Sequence, residues 1–351
     1  MSRLDQEPEI IQLAADLGLE RQKNQVNEIV QYCLHKIAAL LPDDPPPGTV
    51  QGIQDILCRH LGLTFEEVHA DADLDTIIRK YVSQGDFVFA HAKQSLDNWT
   101  FAELFERQNA VDRADHYVAI IDCRGEEKKA RRFFTRWHEV AHLLVLTPRM
   151  APPFNRDVKE RCPIERLMDV IAGELGFYEP VFRPELARCV AKHAGLSYQA
   201  VEDLRASYCP SASYHATAIA AVKAYDRPAI LVEARFALKA QEQRALDAGQ
   251  TYLCEEETPQ PKLRVVSVLI NHAAKEAGIR IDRNMEVPAT SVITRAICRG
   301  DESVVRGREN LSLWLHSDGS SLPEAETVIE ASATPSRAIA VIVLTKEKGS
   351  S

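Results

Sequence analysis

Apolar residues recur at helical spacing through the N-terminal part of the chain. In residues 8–41 they fall three and four positions apart, which predicts two helices. The same spacing predicts a helix over residues 50–61, closed by a glycine, and another over residues 74–81. Residues 41–48 read LPDDPPPG, and the fixed φ and missing N–H of proline exclude a regular helix there. We therefore expect an N-terminal helical segment, residues 1–47, that ends in a stiff linker.

The pattern changes to short β-type runs after Gly85. Residues 87–90 (FVFA) and 116–122 (HYVAIID) are rich in β-branched and aromatic side chains, which predicts two strands. A turn at residues 123–125 leads into the good helix formers that begin at Glu127. The helix that follows carries a broad apolar surface, formed by Phe133, Phe134, Trp137, Val140, Ala141, Leu144 and Val145. The sequence thus predicts the order strand, turn, long helix.

Helical patterns continue further along the chain. Pro163 suits the first position of a helix predicted over residues 163–176. Residues 184–204 read as helix, glycine turn, serine cap and second helix, which is the outline of a helix-turn-helix. Residues 211–243 predict one or two more helices, broken at an Asp-Arg-Pro sequence. We expect residues 48–253 to form one mostly helical domain with a small sheet.

An acidic, proline-containing stretch at residues 254–261 predicts a linker before a C-terminal domain, residues 262–351. Leu311, Leu313 and Leu315 alternate with Ser312, Trp314 and His316, which is typical of a strand. The elements predicted for this domain are strands over residues 263–270, 309–316 and 338–344 and a short helix over residues 271–278. The fold class that we expect is α+β, with a small C-terminal mixed α/β domain.

Composition restricts the class of protein. The chain has 351 residues, a net charge of −9 and eight scattered cysteines without a C-x-x-C pair, so neither a disulfide framework nor a cysteine metal site is indicated. The acidic balance disfavours a general nucleic-acid binder. The N-terminus lacks the features of a signal peptide, and no stretch approaches the roughly 18 apolar residues of a membrane span. We expect a cytoplasmic protein without a membrane partner.

The long helix carries the chemistry. Residues 138–142 read His-Glu-Val-Ala-His, the H-E-x-x-H pattern, in the middle of the apolar run. Residues four apart lie on one face of a helix, so His138 and His142 can bind one metal ion. Glu139 lies one step away, where its carboxylate can accept a proton from a metal-activated water without being a ligand. The pattern predicts a catalytic zinc site with Glu139 as general base.

A catalytic zinc ion needs a third protein ligand, and the helix over residues 163–176 can supply it. Glu165 lies in its first turn and shares a face with Asp169. We predict Glu165 as that ligand. The alternatives within reach in sequence are Asp157, Glu160, Glu174 and His193. Candidates for a hydrogen-bond donor to the oxyanion of the reaction are Tyr178, Tyr214 and His215.

The combination of a strand, W-H-E-x-x-H-L-L and a following helix with E-x-x-x-D-x-x-A resembles the ImmA/IrrE family of metallopeptidases. The resemblance covers about residues 85 to 180. It implies a zincin-like domain in which Glu165 is the third zinc ligand and Asp169 steadies a ligand histidine. Met168, Asp169 and Ile171 stand where the family commonly has Ala, Asn and Phe.

The leading hypothesis is a zinc-dependent endopeptidase. The family resemblance implies a protein substrate, for example a DNA-binding transcriptional repressor. The alternative is a DNA- or protein-binding regulatory module with a structural or vestigial zinc site. Direct nucleic-acid binding is not expected, because the second helix of the helix-turn-helix outline would bring Glu202 and Asp203 near phosphates. A third hypothesis makes residues 262–351 a sensor or interaction domain that controls access to the zinc site.

Overall fold

The structure is a computed structural model, and it describes residues 3–20, 23–41, 49–97, 99–110, 115–150, 152, 154–157, 162–248, 259–316 and 318–345. The fold is mixed α+β, as predicted, with two small sheets. The chain forms two compact units, one of Met1–Phe182 and Ser207–Ser213, the other of Arg183–Ala206 and Tyr214–Ser351. Within the described ranges, no helix is both long enough and apolar enough to cross a membrane.

The first unit contains the predicted N-terminal helices and the predicted H-E-x-x-H helix. Its helices are α1 Pro8–Asp16, α2 Gln25–Leu40, α3 Val50–Leu61, α4 Asp71–Ser83, α5 Ala92–Ser95, α6 Glu126–Leu144 and α7 Pro163–Gly176, followed by the start of α8 Glu179–Lys192. Gly62 ends α3 in the left-handed conformation (φ 66°), which glycine adopts at low cost. Its strands are β1 Leu63–Val68, β2 Thr100–Glu106, β3 Tyr117–Asp122 and β4 Phe154–Asp157.

The four strands form one sheet in the order β1-β3-β2-β4. The predicted strand over residues 116–122 is confirmed as β3, which is an inner strand whose residues from Val118 to Asp122 are all buried. β1 pairs with β3 in parallel, and β2 pairs antiparallel with both β3 and β4. β1, β2 and β4 were not predicted. In β1, Leu63 and Val68 are buried at the ends while the residues between them are half-buried, so the strand has no apolar periodicity.

The strand predicted over residues 87–90 is wrong, because Phe87–His91 forms a 3₁₀ helix. Phe89 is fully buried between two rings, with centroids 4.4 Å from Tyr81 and 4.6 Å from Phe105. Phe87 is 69% exposed. The 3₁₀ turn directs one phenylalanine into the core and leaves the other in solvent. An apolar run this short does not distinguish a strand from a helical turn in sequence.

The N-terminal helices belong to the same compact unit as the H-E-x-x-H helix. Both α1 and α2 pack on α7, and α2 also packs on α6 and α3. Lys36 in α2 donates a hydrogen bond from Nζ to the backbone oxygen of Leu144 (3.0 Å), the last residue of α6. Residues 1–47 are therefore not a separate unit in this structure. The linker predicted over residues 41–48 lies, apart from Leu41, outside the described residues.

The second unit is built on a five-stranded antiparallel sheet in the order β6-β5-β9-β8-β7. Its strands are β5 Ala229–Ala237, β6 Lys262–Ile270, β7 Val305–Asn310, β8 Glu326–Thr334 and β9 Arg337–Leu344. Its helices are the rest of α8, α9 Tyr198–Tyr208 up to Ala206, α10 Tyr214–Ala224, α11 Ala240–Asp247, α12 His272–Glu276 and α13 Val292–Arg299. The predicted strands over residues 263–270 and 338–344 and the predicted short helix are confirmed as β6, β9 and α12.

The structure divides the chain differently from the division predicted at residues 254–261. β5 lies in the stretch for which helices were predicted, but it pairs with β6 on one side and β9 on the other. Its residues from Ala229 to Ala234 are all buried, which explains a continuous apolar run without strand alternation. Residues of the predicted peptidase domain, from 214 to 248, thus group with the C-terminal sheet.

The strand predicted over residues 309–316 is also wrong in part. β7 ends at Asn310, and Leu311–Leu313 forms a 3₁₀ helix whose start is capped by the Asn310 side chain. The ring of Trp314 is fully buried, and its Nε1 donates a hydrogen bond to Glu309 Oε1 (2.7 Å). Burial of this ring turns Leu313 and Leu315 outward, where they are 49% and 51% exposed.

Candidate metal centre

The start of α6 is fixed to the end of β3. Gly125 has φ 79°, a conformation that favours glycine, and it turns the chain from the strand into the helix. Asp122 at the end of β3 accepts hydrogen bonds from Lys128 Nζ (2.7 Å) and from Arg124 Nη2 (2.7 Å). Burial opposes ionisation of Asp122, but the hydrogen bonds from Arg124 and Lys128 outweigh it and lower its pKa. This network holds α6 in register with the sheet.

The C-terminal half of α6 is buried on nearly every side. Phe133, Trp137, Val140, Ala141 and Leu144 form its apolar surface. The three polar residues of the H-E-x-x-H motif lie within this buried stretch, and each is only 1% exposed: His138, Glu139 and His142. Polar groups are seldom buried unless they are paired or bind a ligand, so three in one helical turn indicate a site.

α7 approaches α6 closely at Gly176. A Cβ atom at this position would lie 3.0 Å from a ring carbon of Phe133 and 3.1 Å from Cδ1 of Trp137, so only glycine fits without displacement. The other buried residues of α7 face the core: Leu167, Met168, Ile171, Ala172 and Leu175. Pro163 occupies the first turn, as predicted. The close contact brings the N-terminal turn of α7 alongside the two histidines.

His138, His142 and Glu165 bring three donor atoms together. Glu165 Oε2 lies 2.8 Å from His138 Nε2, and Glu165 Oε1 lies 3.3 Å from His142 Nε2. The two Nε2 atoms are 3.2 Å apart. Burial opposes ionisation of Glu165. The hydrogen bonds with His138 and His142 outweigh this effect and hold its pKa well below its usual range, so the carboxylate is charged.

The donor set fits a tetrahedral cation. Zinc bonds to histidine nitrogen and carboxylate oxygen of roughly 2.0–2.2 Å place neighbouring ligand atoms about 3.3 Å apart on a tetrahedron. The observed separations of 2.8, 3.2 and 3.3 Å are close to this spacing. Two imidazoles and one carboxylate suit a borderline cation such as Zn²⁺. Three protein ligands leave a fourth position for water.

Asp169 contacts the other nitrogen of His138. Its Oδ1 lies 3.0 Å from His138 Nδ1, one helical turn after Glu165. A hydrogen bond from Nδ1–H to this carboxylate directs the lone pair of Nε2 toward Glu165 and His142. The structure therefore places Asp169 in contact with His138.

The sequence did not single out Phe154, which packs against the site from β4. Its ring is stacked on the imidazole of His142, with centroids 4.7 Å apart and planes inclined by 6°. In the sheet Phe154 is paired with Leu104 of β2, so the strand fixes the position of the ring. Phe154 follows an irregular proline-rich sequence, and nothing in that pattern indicated a contact with the motif.

Of the alternative ligands, the two whose side chains the structure describes, His193 and Glu174, do not join this group. His193 belongs to the second unit and pairs with Asp203 (2.8 Å). Glu174 is exposed on α7, and Glu160 and the side chain of Asp157 lie outside the described residues. Among the oxyanion candidates, Tyr178 is buried in the first unit with its pKa raised by burial, whereas the other two, Tyr214 and His215, belong to the second unit.

A second group of possible metal-binding atoms lies in the first unit, at Glu67, His69 and Cys123. Glu67 already pairs with Arg136 (3.0 Å) and Arg132 (3.2 Å). Burial raises the pKa of the Cys123 thiol to about 11, so the thiol is protonated at neutral pH. Two arginines and a protonated thiol suit a metal cation poorly.

Of the two groups among the described residues, His138, His142 and Glu165 are the better candidate for a metal centre, with Glu139 next to His138 in α6 and Asp169 in contact with His138. The structure brings together the three residues that the sequence predicted as ligands, His138, His142 and Glu165. Comparison with known proteins adds no relative: no protein-family model matches the chain, and no curated protein matches it significantly.

Proposed function

We propose that this protein is a zinc-dependent endopeptidase. The observation that carries the proposal is the approach of His138, His142 and Glu165, whose donor atoms lie 2.8 to 3.3 Å apart at the centre of a buried helix pair. When bound there, zinc supplies Lewis acidity, which lowers the pKa of water and polarises a carbonyl group.

The residues of this chain provide the remaining functions. Glu139 is the general base that accepts a proton from the attacking water and returns it to the leaving amine. Its burial in α6 shields the carboxylate from bulk water, next to the ligand His138. Asp169 holds His138 in the tautomer that can bind metal, and Phe154 restricts rotation of the His142 ring.

The substrate that we propose is a protein, in accordance with the resemblance of the motifs to the ImmA/IrrE family. A DNA-binding repressor is the example that this resemblance suggests, and the site of action that we propose is the cytoplasm. The general base and the three ligands suffice for amide hydrolysis, so the chemistry requires no small-molecule cosubstrate.

The alternative function, DNA binding through α8 and α9, receives little support from the charges of these helices. Lys192 pairs with Asp203 (2.5 Å), and Arg205 pairs with Glu202 (2.5 Å). Arg188 likewise pairs with Glu185 (2.6 Å). Cations neutralised in this way release few counterions from DNA, and phosphate contacts dominate DNA affinity.

The first test is the metal content of the purified full-length protein. We expect stoichiometric zinc in the wild type, loss of zinc in His142→Ala, and retention of zinc in Glu139→Gln, because His142 is a ligand and Glu139 is not. His193→Ala is the matched control and should retain zinc, since its ring pairs with Asp203 instead. Stoichiometric zinc in His142→Ala would contradict the site.

The second test is proteolysis. New protein N-termini that appear in a cell extract on addition of the wild type should be absent, or appear about a hundredfold more slowly, with Glu139→Gln. Mass spectrometry of the N-termini measures the difference. Zinc binding without any cleavage that depends on Glu139 would disprove the endopeptidase and leave the metal centre intact.

A further inference from the structure

The second unit contains a cleft that has no part in the proposed zinc chemistry. Its volume is about 690 Å³, which lies in the range of roughly 300–1,000 Å³ for pockets that hold small molecules. Three parts of the unit enclose it: the N-terminal part of α11, residues 282–288, and residues 313–316 together with Gly319. Residues 284–287 run along the edge strand β6, with hydrogen bonds that join Asn284, Met285 and Val287 to its backbone.

Arg264 of β6 forms part of the wall, and it is only 4% exposed. Its Nη1 donates a hydrogen bond to the backbone oxygen of Asn284 (3.1 Å), a residue in the left-handed conformation (φ 70°). Its Nε is buried and has no hydrogen-bond partner among the described residues. A buried guanidinium with an unsatisfied donor is costly unless an anion compensates its charge.

The nearest carboxylate compensates this charge only in part. Glu286 lies 3.7 Å from Arg264 Nη2, beyond hydrogen-bond distance. The same carboxylate accepts hydrogen bonds from Lys262 at 3.0 and 3.1 Å. Asp282, the other acid that lines the cleft, pairs with Arg280 at 2.8 Å. Both acids therefore have their closest cationic partners outside the lining of the cleft, and Asp282 also lies 3.9 Å from His316 Nδ1, which lines it.

Further cations line the cleft and lack ion pairs within the described part of the chain. Arg244 and Arg283 use Nε to donate to the backbone oxygens of Ala240 (3.0 Å) and Val266 (2.9 Å). These bonds leave the charge of each guanidinium uncompensated. Lys239 adds a further ammonium group. Because cations outnumber acids among the described residues that line the cleft, and these acids are already paired, this lining favours an anion.

One wall of the cleft is apolar. Leu313 and Leu315 line it and are about half exposed. They face outward because the intervening Trp314 is held in the core by two hydrogen bonds. Its ring Nε1 donates to Glu309 (2.7 Å), and its backbone oxygen accepts from the Leu322 amide (2.9 Å). An apolar surface held rigidly beside cations fits a ligand with both characters.

We infer that this cleft binds a small organic anion that carries an apolar chain or ring. The carboxylate or phosphate of the ligand contacts Arg244 and Arg283, in the field of Arg264, and its apolar part lies on Leu313 and Leu315. The site belongs to the second unit alone and does not depend on the proposed peptidase activity.

The test is calorimetric titration of the full-length protein with four probes: octanoate, octyl phosphate, octylammonium and inorganic phosphate. We expect saturable binding of octanoate, octyl phosphate or both, and at least about tenfold weaker binding of octylammonium. Preference for one of the two anions identifies the head group. Inorganic phosphate should bind at least about tenfold more weakly than octyl phosphate, because it lacks the buried hydrocarbon.

Variants locate the site. The double change Arg244→Met and Arg283→Met should weaken binding of the preferred anion at least about tenfold, because each removes a charged donor. Leu315→Ser should weaken it by a similar factor. Arg306→Met is the matched control, since Arg306 lies on β7, is exposed, and pairs with Glu330 outside the cleft. The side chains of Arg244, Arg283 and Leu315 are exposed, so the variants should fold.

Several outcomes would overturn the inference. Octylammonium could bind as tightly as the anions, or both anions could fail to bind at millimolar concentration. Unchanged affinity in the arginine double variant would exclude the cleft as the site. Equal affinity for inorganic phosphate and octyl phosphate would exclude the apolar contact with Leu315.

Discussion

At the scale of single residues, the imidazole of His138 lies between two carboxylates of α7. Glu165 faces Nε2 and Asp169 faces Nδ1, at 2.8 and 3.0 Å. Helical spacing predicts that His138 and His142 share one face and that Glu165 and Asp169 share another, whereas the contact of Asp169 with a histidine was implied only by the family resemblance. Sequence could not predict Phe154, because its contact with His142 depends on a strand pairing between distant residues.

Asp169→Ala should lower zinc affinity by about 10- to 100-fold, because His138 then loses the partner that fixes its tautomer and orientation. Glu174→Ala is the control on the same helix, since Glu174 is exposed and is not part of the site. Competition with a chelator of known affinity measures the change. Equal zinc affinity in Asp169→Ala and Glu174→Ala would show that Asp169 has no part in metal binding.

At the scale of elements, α6 and α7 form the site by their contact at Gly176. Both helices could be predicted from local signals, the apolar periodicity of α6 and the proline at the start of α7. The four-stranded sheet beneath them was predicted only at β3, because β1 and β4 carry too few apolar residues for a strand pattern. Their pairing, not their composition, makes them strands.

Gly176→Ala should weaken zinc binding, because a Cβ 3.0 Å from Phe133 displaces α7 and with it Glu165. We expect a loss of about 1–3 kcal/mol in the free energy of unfolding as well, as is usual for overpacking of a core. Gly173→Ala is the matched control on the same helix, since no atom lies within 4 Å of its Cβ position. Metal titration and chemical denaturation of both variants measure the difference, and equal behaviour would contradict the close contact.

Asp122→Asn should lower the free energy of unfolding by about 2 kcal/mol at neutral pH, because Lys128 and Arg124 lose a buried, charged acceptor. The pKa of Asp122 is lowered in the folded state. Its contribution to the free energy of unfolding is therefore complete when the pH is above its pKa in the unfolded chain, about 3.9, and decreases as the pH falls toward its pKa in the folded protein.

The wild type and Asp122→Asn should therefore differ at pH 7 and converge in strong acid. Denaturation at a series of pH values measures this convergence. Asp71→Asn is the control, because Asp71 accepts a hydrogen bond from the same Arg124 (2.6 Å) but is 81% exposed. A constant difference between wild type and Asp122→Asn at every pH would contradict the assignment to this carboxylate.

At the scale of the whole molecule, the chain forms two compact units whose boundary differs from the change in composition at residues 254–261. The linker was predicted from acidic residues and prolines. These indicate an irregular segment, but they do not show whether a strand before it pairs with a strand after it. β5 precedes the segment and β6 follows it, and they are neighbours in one sheet. Non-local pairing of this kind leaves no signal in a single sequence.

A chain that ends at Thr258 should be prone to aggregation. It retains β5 but lacks β6 and β9, so both edges of a strand with buried Ile230 and Val232 would be unpaired. A chain that ends at Asp226 lacks this strand and should aggregate less. Analytical ultracentrifugation of the two proteins compares them, and a monodisperse chain ending at Thr258 would contradict the pairing.

The burial of Trp314 also gives the second unit a fluorescent reporter of its own. The protein has three tryptophans. Trp314 is enclosed beside the anion cleft, Trp137 is enclosed where α7 meets α6, and Trp99 is 46% exposed. With Trp99 replaced by phenylalanine, blue-shifted emission would come from two enclosed indoles in separate units. Removing Trp314 then leaves Trp137, whose quenching can follow zinc loading, and removing Trp137 instead leaves Trp314, whose quenching can follow anion binding.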